Sequence, residues 1–139
     1  MRRLIILHVE DEQEDAVLLR ETCRAAGLPA DVYEVPGGAD AVAYLNGDDP
    51  FADRGRYPLP DVIILDLKMP GMDGFEFLRW LRNSSTFRST PVLVFTQMAS
   101  TADKARAMAE GATGYFLKPV DRGSLGRLTD ALRKLGNGH

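Results

Sequence analysis

VIILDLKMPGMDG, Val62–Gly74, runs four apolar residues into an aspartate and then breaks on Pro70 and Gly71. Apolar residues in succession, without alternation, suit a parallel strand covered on both faces. Asp66 therefore stands at the carboxyl end of a buried strand, where a charge is costly unless something pairs with it. Beyond the break, Asp73 is placed to cap a helix over Gly74–Asn83, in which Phe77, Leu78 and Leu81 recur at helical spacing.

The same pattern repeats on either side. Apolar runs occur at Leu4–Val9, Asp31–Val35, Val92–Phe95 and Tyr115–Leu117, each leading toward a helix-like segment. Leu19, Cys23 and Ala26 mark one apolar helix face, and Leu125, Leu128, Leu132 and Leu135 mark another. Gly27 and Gly111 sit where helices should stop. Strand alternating with helix predicts an α/β fold, a doubly wound parallel sheet of five strands, in one domain over 1–139. The long connection Asn46–Pro60 is rich in Gly, Pro and Asp and reads as a surface loop, with a partner contact as the alternative.

Composition narrows the classes. With 139 residues, 45% apolar and 27% charged, the chain is long enough for one real core. A net charge of -3 argues against a nucleic-acid face, so no DNA binding is expected. Arg2 and Arg3 before Leu4–Leu7 imitate a signal peptide, but the apolar run is too short and meets Glu10 and Asp11 at once. No run approaches a membrane span. Cys23 is alone, which fits a reducing cytoplasm and a small core residue rather than a reactive thiol. His8, inside the first strand, reads as a core histidine with satisfied nitrogens, and Trp80 as partly exposed packing.

In a doubly wound sheet, ligands bind beyond the carboxyl ends of the strands, where strand order reverses. If the order is 2-1-3-4-5, Glu10 and Asp11 after the first strand meet Asp66 after the third. Close carboxylates repel unless a cation neutralises them, and an open set of hard oxygens suits Mg²⁺. Thr96 ends VLVFT and Lys118 ends YFLKP, which adds a hydroxyl and an ammonium at the same edge. A cation, an ammonium and a hydroxyl around one carboxylate make a phosphoryl site, with Asp66 as nucleophile.

Glu10-Asp11, the run Asp66-Leu67-Lys68-Met69-Pro70, Thr96 and Lys118-Pro119 together resemble the receiver domain of two-component response regulators, the CheY-like superfamily. The likeness extends from about Leu4 to Leu135. It implies a flavodoxin-like (βα)5 fold with the order 2-1-3-4-5. It implies that Asp66 accepts phosphate from a sensor histidine kinase or phosphotransfer protein. It further implies that Asp11 ligates Mg²⁺ directly and Glu10 through water, joined by Asp66 and the Lys68 backbone carbonyl. Thr96 and Lys118 take the family's threonine and lysine positions, Tyr115 its aromatic switch position, and Lys118–Pro119 its cis bond. Such a protein is a switch rather than a turnover enzyme, located in the cytoplasm and off the membrane. Phosphorylation would alter a surface at about 101–135, leading to a phosphorylation-dependent homodimer or to docking on another protein.

Three features depart from or elaborate the pattern. Gln97 stands where a small residue is usual, Lys68 adds a second cation at the rim, and the 46–60 connection is long. That connection, with no output domain expected, resembles stand-alone receivers found with phytochromes. The alternative readings are a degenerate receiver that binds partners without phosphorylation and a Mg²⁺-dependent phosphohydrolase with an aspartate nucleophile. The second would want an acid two residues after Asp66, where Lys68 stands. A flavodoxin-like small-molecule binder would want a Gly/Ser/Thr phosphate loop after the first strand, where EDEQED is the electrostatic opposite.

Overall fold

The chain alternates strand and helix throughout: β1 (Leu4–Val9), α1 (Gln13–Ala25), β2 (Ala30–Val35), α2 (Gly38–Asn46), β3 (Val62–Leu65), α3 (Gly74–Asn83), β4 (Val92–Thr96), α4 (Thr101–Ala109), β5 (Gly114–Leu117) and α5 (Arg122–Asn137). These come from a computed structural model that describes residues 3–118 and 122–137, the side chains of 122–125 and 137 excepted. The expected cis bond at Lys118–Pro119 and the Leu125 side chain fall outside the described residues. All strand pairs are parallel, in the order β2-β1-β3-β4-β5.

The successive apolar residues of each central strand divide between two cores. Leu7, Val9, Ile63, Leu65, Val92 and Val94 face Tyr44 of α2, Phe77 and Leu81 of α3 and Ala107 of α4. Ile6, Val62, Ile64, Leu93 and Phe95 face Leu19 and Cys23 of α1 and Leu128 and Leu132 of α5. Covering both faces is what removes the alternation expected of a half-exposed strand.

Helix ends follow local chemistry. Asp73 caps α3, its side chain accepting from the Glu76 amide at 2.9 Å. At the end of α1, Gly27 takes φ 69°, Leu28 N donates to Cys23 O and Gly27 N to Arg24 O, both at 3.0 Å. This left-handed reversal folds Leu28 back into the core. It also corrects one expectation: Ala26, assigned above to the apolar face, is the exposed C-cap, and Leu28 fills the buried position.

The 46–60 connection is anchored. Arg54 donates to Tyr44 O and Leu45 O, each at 2.8 Å, and to Tyr57 O at 3.2 Å, supplying the cation that the last turn of α2 lacks. The Tyr44 hydroxyl donates to Pro58 O at 2.8 Å, and the Phe51 and Tyr57 rings lie 5.2 and 6.0 Å from the Tyr44 ring. Among the described residues, no helix is long and apolar enough to cross a membrane.

Candidate functional site

Register positions the site. Val9 of β1 lies opposite Leu65 of β3, and the ladder runs one residue further, with Asp66 N donating to Val9 O at 3.1 Å and Glu10 N to Val35 O at 3.0 Å. Glu10 and Asp66 are therefore neighbours at the carboxyl edge. On the other side, Thr96 lies opposite Leu117, and Lys118 N donates to Thr96 O at 2.8 Å. Glu10, Asp66, Thr96 and Lys118 are all buried, so each polar group there needs a partner.

Oxygens of Glu10, Asp11 and Asp66 lie within 4.8 Å of one another. Asp11 is exposed, whereas the other two are buried. Burial pushes the Glu10 carboxyl up to about 7 against the opposing pull of Lys118. Asp66 Oδ1 accepts from the Lys68 amide at 3.1 Å, and Asp66 Oδ2 from Lys118 Nζ at 3.2 Å. Lys118 Nζ also donates to Glu10 Oε1 and, at 2.9 Å, to Asp15 Oδ2. Burial works against the ammonium, but the surrounding carboxylates outweigh it and raise its pKa. Lys118 is thus held charged.

Gly74, the first residue of α3, makes the approach to this edge feasible. A Cβ there would stand 2.5 Å from both Asp66 O and Leu67 Cα, a separation that side chains do not tolerate. Gly74 N donates to Leu67 O at 3.0 Å, which ties the helix start to the chain just past Asp66.

Above these groups opens a crevice of about 530 Å³, with Asp11, Asp66, Lys68, Gln97 and Lys118 among its lining residues. Lys68 and Gln97 stand exposed at the rim. Thr96 is fully buried, its Oγ1 accepting from Met98 N at 3.3 Å. Tyr115 is half-buried, and its hydroxyl donates to Met98 O at 2.6 Å, so Thr96 and Tyr115 are both bonded to the backbone of Met98.

Two residues behave differently from the sequence reading. His8 is buried as expected, but neither ring nitrogen has a hydrogen-bond partner among the described residues, and Nε2 lies 3.9 Å from Glu10 Oε1. Burial first, and the Lys118 charge second, push its pKa down to about 3, which keeps it neutral. The other is Asp15, which the sequence reading passed over. Its only signal is an acid in the first turn of α1, which the helix dipole alone would explain, and nothing in the sequence connects it to Lys118.

The fold agrees with the comparisons. The response regulator receiver domain matches residues 6–130, and the chain belongs to that family, whose members act in two-component signalling. The response regulator PleD of Caulobacter vibrioides is 36% identical over 116 residues, 84% of this chain and 23% of PleD, so the chain spans about a quarter of that relative. The two-component response regulator ARR6 of Arabidopsis thaliana is 32% identical over 133 residues, 95% of this chain and 70% of ARR6. Among solved structures, the response regulator RPA3017 in red light signalling of R. palustris has a TM-score of 0.82 at 32% identity, covering 95% of this chain and 90% of that one. The bacteriophytochrome response regulator RtBRR has a TM-score of 0.81 at 34% identity, covering 96% of this chain and 78% of that one. Receiver domains bind Mg²⁺ through acidic residues, and the three carboxylates here are hard oxygen donors of the kind that ion prefers.

Proposed function

We propose that this chain is a phosphorylation switch that takes a phosphoryl group onto Asp66 from the phosphohistidine of a sensor histidine kinase or phosphotransfer protein. The observation that carries the reading is the Asp66 carboxylate, bonded to Lys118 and clustered with Glu10 and Asp11 at the carboxyl edge of the sheet. A carboxylate oxygen of Asp66 attacks phosphorus and forms an O–P bond. The P–N bond breaks, and its electron pair stays on the imidazole nitrogen, which takes up a proton from solvent.

Lys118 balances charge on the transferring oxygens, and the Thr96 hydroxyl supplies a further donor. Glu10, Asp11, Asp66 and the Lys68 backbone carbonyl would hold Mg²⁺. When bound, the ion neutralises the carboxylates and the incoming phosphoryl group. The chain would catalyse only transfer to its own aspartate and loss of that phosphate. Its site would face the cytoplasm, where such kinases present their phosphohistidine. Membership of the receiver-domain family, which accepts phosphoryl groups from histidine kinases, supports a histidine-kinase partner. An acidic net charge of -3 supports protein rather than DNA as the target.

Incubation with Mg²⁺ and acetyl phosphate should add one phosphate, stable in acid and labile to base and hydroxylamine. Asp66→Asn or chelation of the metal should abolish it. Uptake by Asp66→Asn at the wild-type level would exclude this residue as acceptor. No uptake by the wild type would favour the phosphorylation-independent interaction module.

A further inference from the structure

The Lys118 ammonium has three N–H donors, and the structure provides one carboxylate for each: Glu10, Asp15 and Asp66. Glu10 and Asp66 belong to the acidic cluster at the strand ends; Asp15 does not. It sits in the first turn of α1, where an acid is ordinarily explained by the helix dipole. Its carboxylate nevertheless reaches a lysine 103 residues away, at a shorter distance than the 3.2 Å of the Asp66 contact. The Asp15 side chain is 25% exposed and the Lys118 side chain 3% exposed, so the bond joins the crevice wall to its floor. The Phe95 ring, 5.2 Å from Nζ, lies against the ammonium as well.

We propose that Asp15 is a positioning residue for phosphoryl transfer. With Glu10 it holds two of the three Lys118 donors, which directs the third toward Asp66 and then toward the phosphoryl oxygen that takes over as partner. Asp15 neither gains nor loses a proton, and the transfer step is the one written above. Preorganised donors act best when they need not be reoriented during the reaction. A flexible lysine with one fewer anchor would have to find that orientation in each encounter. The inference rests on Asp66 being the phosphoacceptor.

Asp15→Ala and Asp15→Asn both remove a negative charge from the crevice, so both change its attraction for an anionic phosphodonor alike. Only the asparagine keeps an oxygen that can accept from Lys118. The ratio of their phosphorylation rates with acetyl phosphate, followed by intact-protein mass spectrometry, therefore isolates the bond. Asp15→Ala should be roughly tenfold slower than Asp15→Asn, the low end of the loss seen when an outer supporting partner is removed. In a Lys118→Met background the two should react at the same rate, because the anchor then has nothing to hold. Without metal or phosphodonor, the lysine ammonium NMR signal of Lys118 should persist in Asp15→Asn and broaden by exchange in Asp15→Ala. Equal rates for the two variants, or a tenfold ratio that survives in Lys118→Met, would overturn the assignment. Failure of the wild type itself to take up phosphate would instead refute Asp66 as acceptor.

Discussion

His8 is fully buried in β1, opposite Glu34 of β2 and Ile64 of β3, with both imidazole nitrogens unbonded among the described residues. Each buried polar group left without a partner costs about 1–3 kcal/mol. Its companions on the same core, Ile6 and Leu19, show that an aliphatic side chain is at home there. His8→Leu should therefore raise the free energy of unfolding in urea by about 1–2 kcal/mol at pH 7. A loss of stability would mean that the imidazole has a partner that matters. The histidine was legible as buried from its strand. That its nitrogens go unpaired was not, because this depends on what α1, β3 and Glu10 bring close to it.

The 46–60 connection is informative at the scale of an element. Composition alone makes it a surface loop, and its tip residues are exposed. Arg54 changes that account, since one guanidinium bonds two carbonyls at the end of α2 and a third at Tyr57. Hydrogen bonds from a charged donor are worth about 1.5–3 kcal/mol. Arg54→Ala should destabilise the protein by about 2 kcal/mol and speed amide hydrogen exchange within 47–60, while phosphate uptake at Asp66 continues. Exchange there at the wild-type rate would show that the aromatic cluster of Tyr44, Phe51 and Tyr57 holds the loop unaided. Helix boundaries were easier to read: Asp73, Gly27 and Gly111 act through the backbone within a few residues of themselves, so their spacing announces them.

Across the whole molecule, the proposed phosphoryl site and the α4–β5–α5 surface are joined at Met98, whose N–H is bonded to Thr96 and whose carbonyl is bonded to Tyr115. A movement of Thr96 toward a phosphoryl oxygen would disturb that residue and with it the Tyr115 ring. Leu117 and Met108, 41% and 43% exposed, lie on the same surface and are apolar groups that a partner would cover. A ligand shifts such an equilibrium only by its differential affinity for the two states. Beryllofluoride with Mg²⁺ should therefore slow or redistribute hydrogen exchange within 101–135 in the wild type, and much less in Thr96→Ala. Changes confined to the neighbourhood of Asp66 would disprove this route to the surface.

The sequence by itself determined the strand and helix alternation, the strand limits to within a residue, and the carboxylates and cation that end the first, third and fifth strands. These are properties of periodicity, propensity and short motifs, and they act over a turn of helix or the length of a strand. Only the tertiary structure decided that Asp15 bonds Lys118, that the His8 nitrogens find no partner among the described residues, that Arg54 closes α2, and that Leu28 rather than Ala26 completes the α1 face. Each of these turns on where a side chain ends once distant elements have packed. A hydrogen bond is made or lost over a few tenths of an ångström, and such distances are not encoded in any local run of residues.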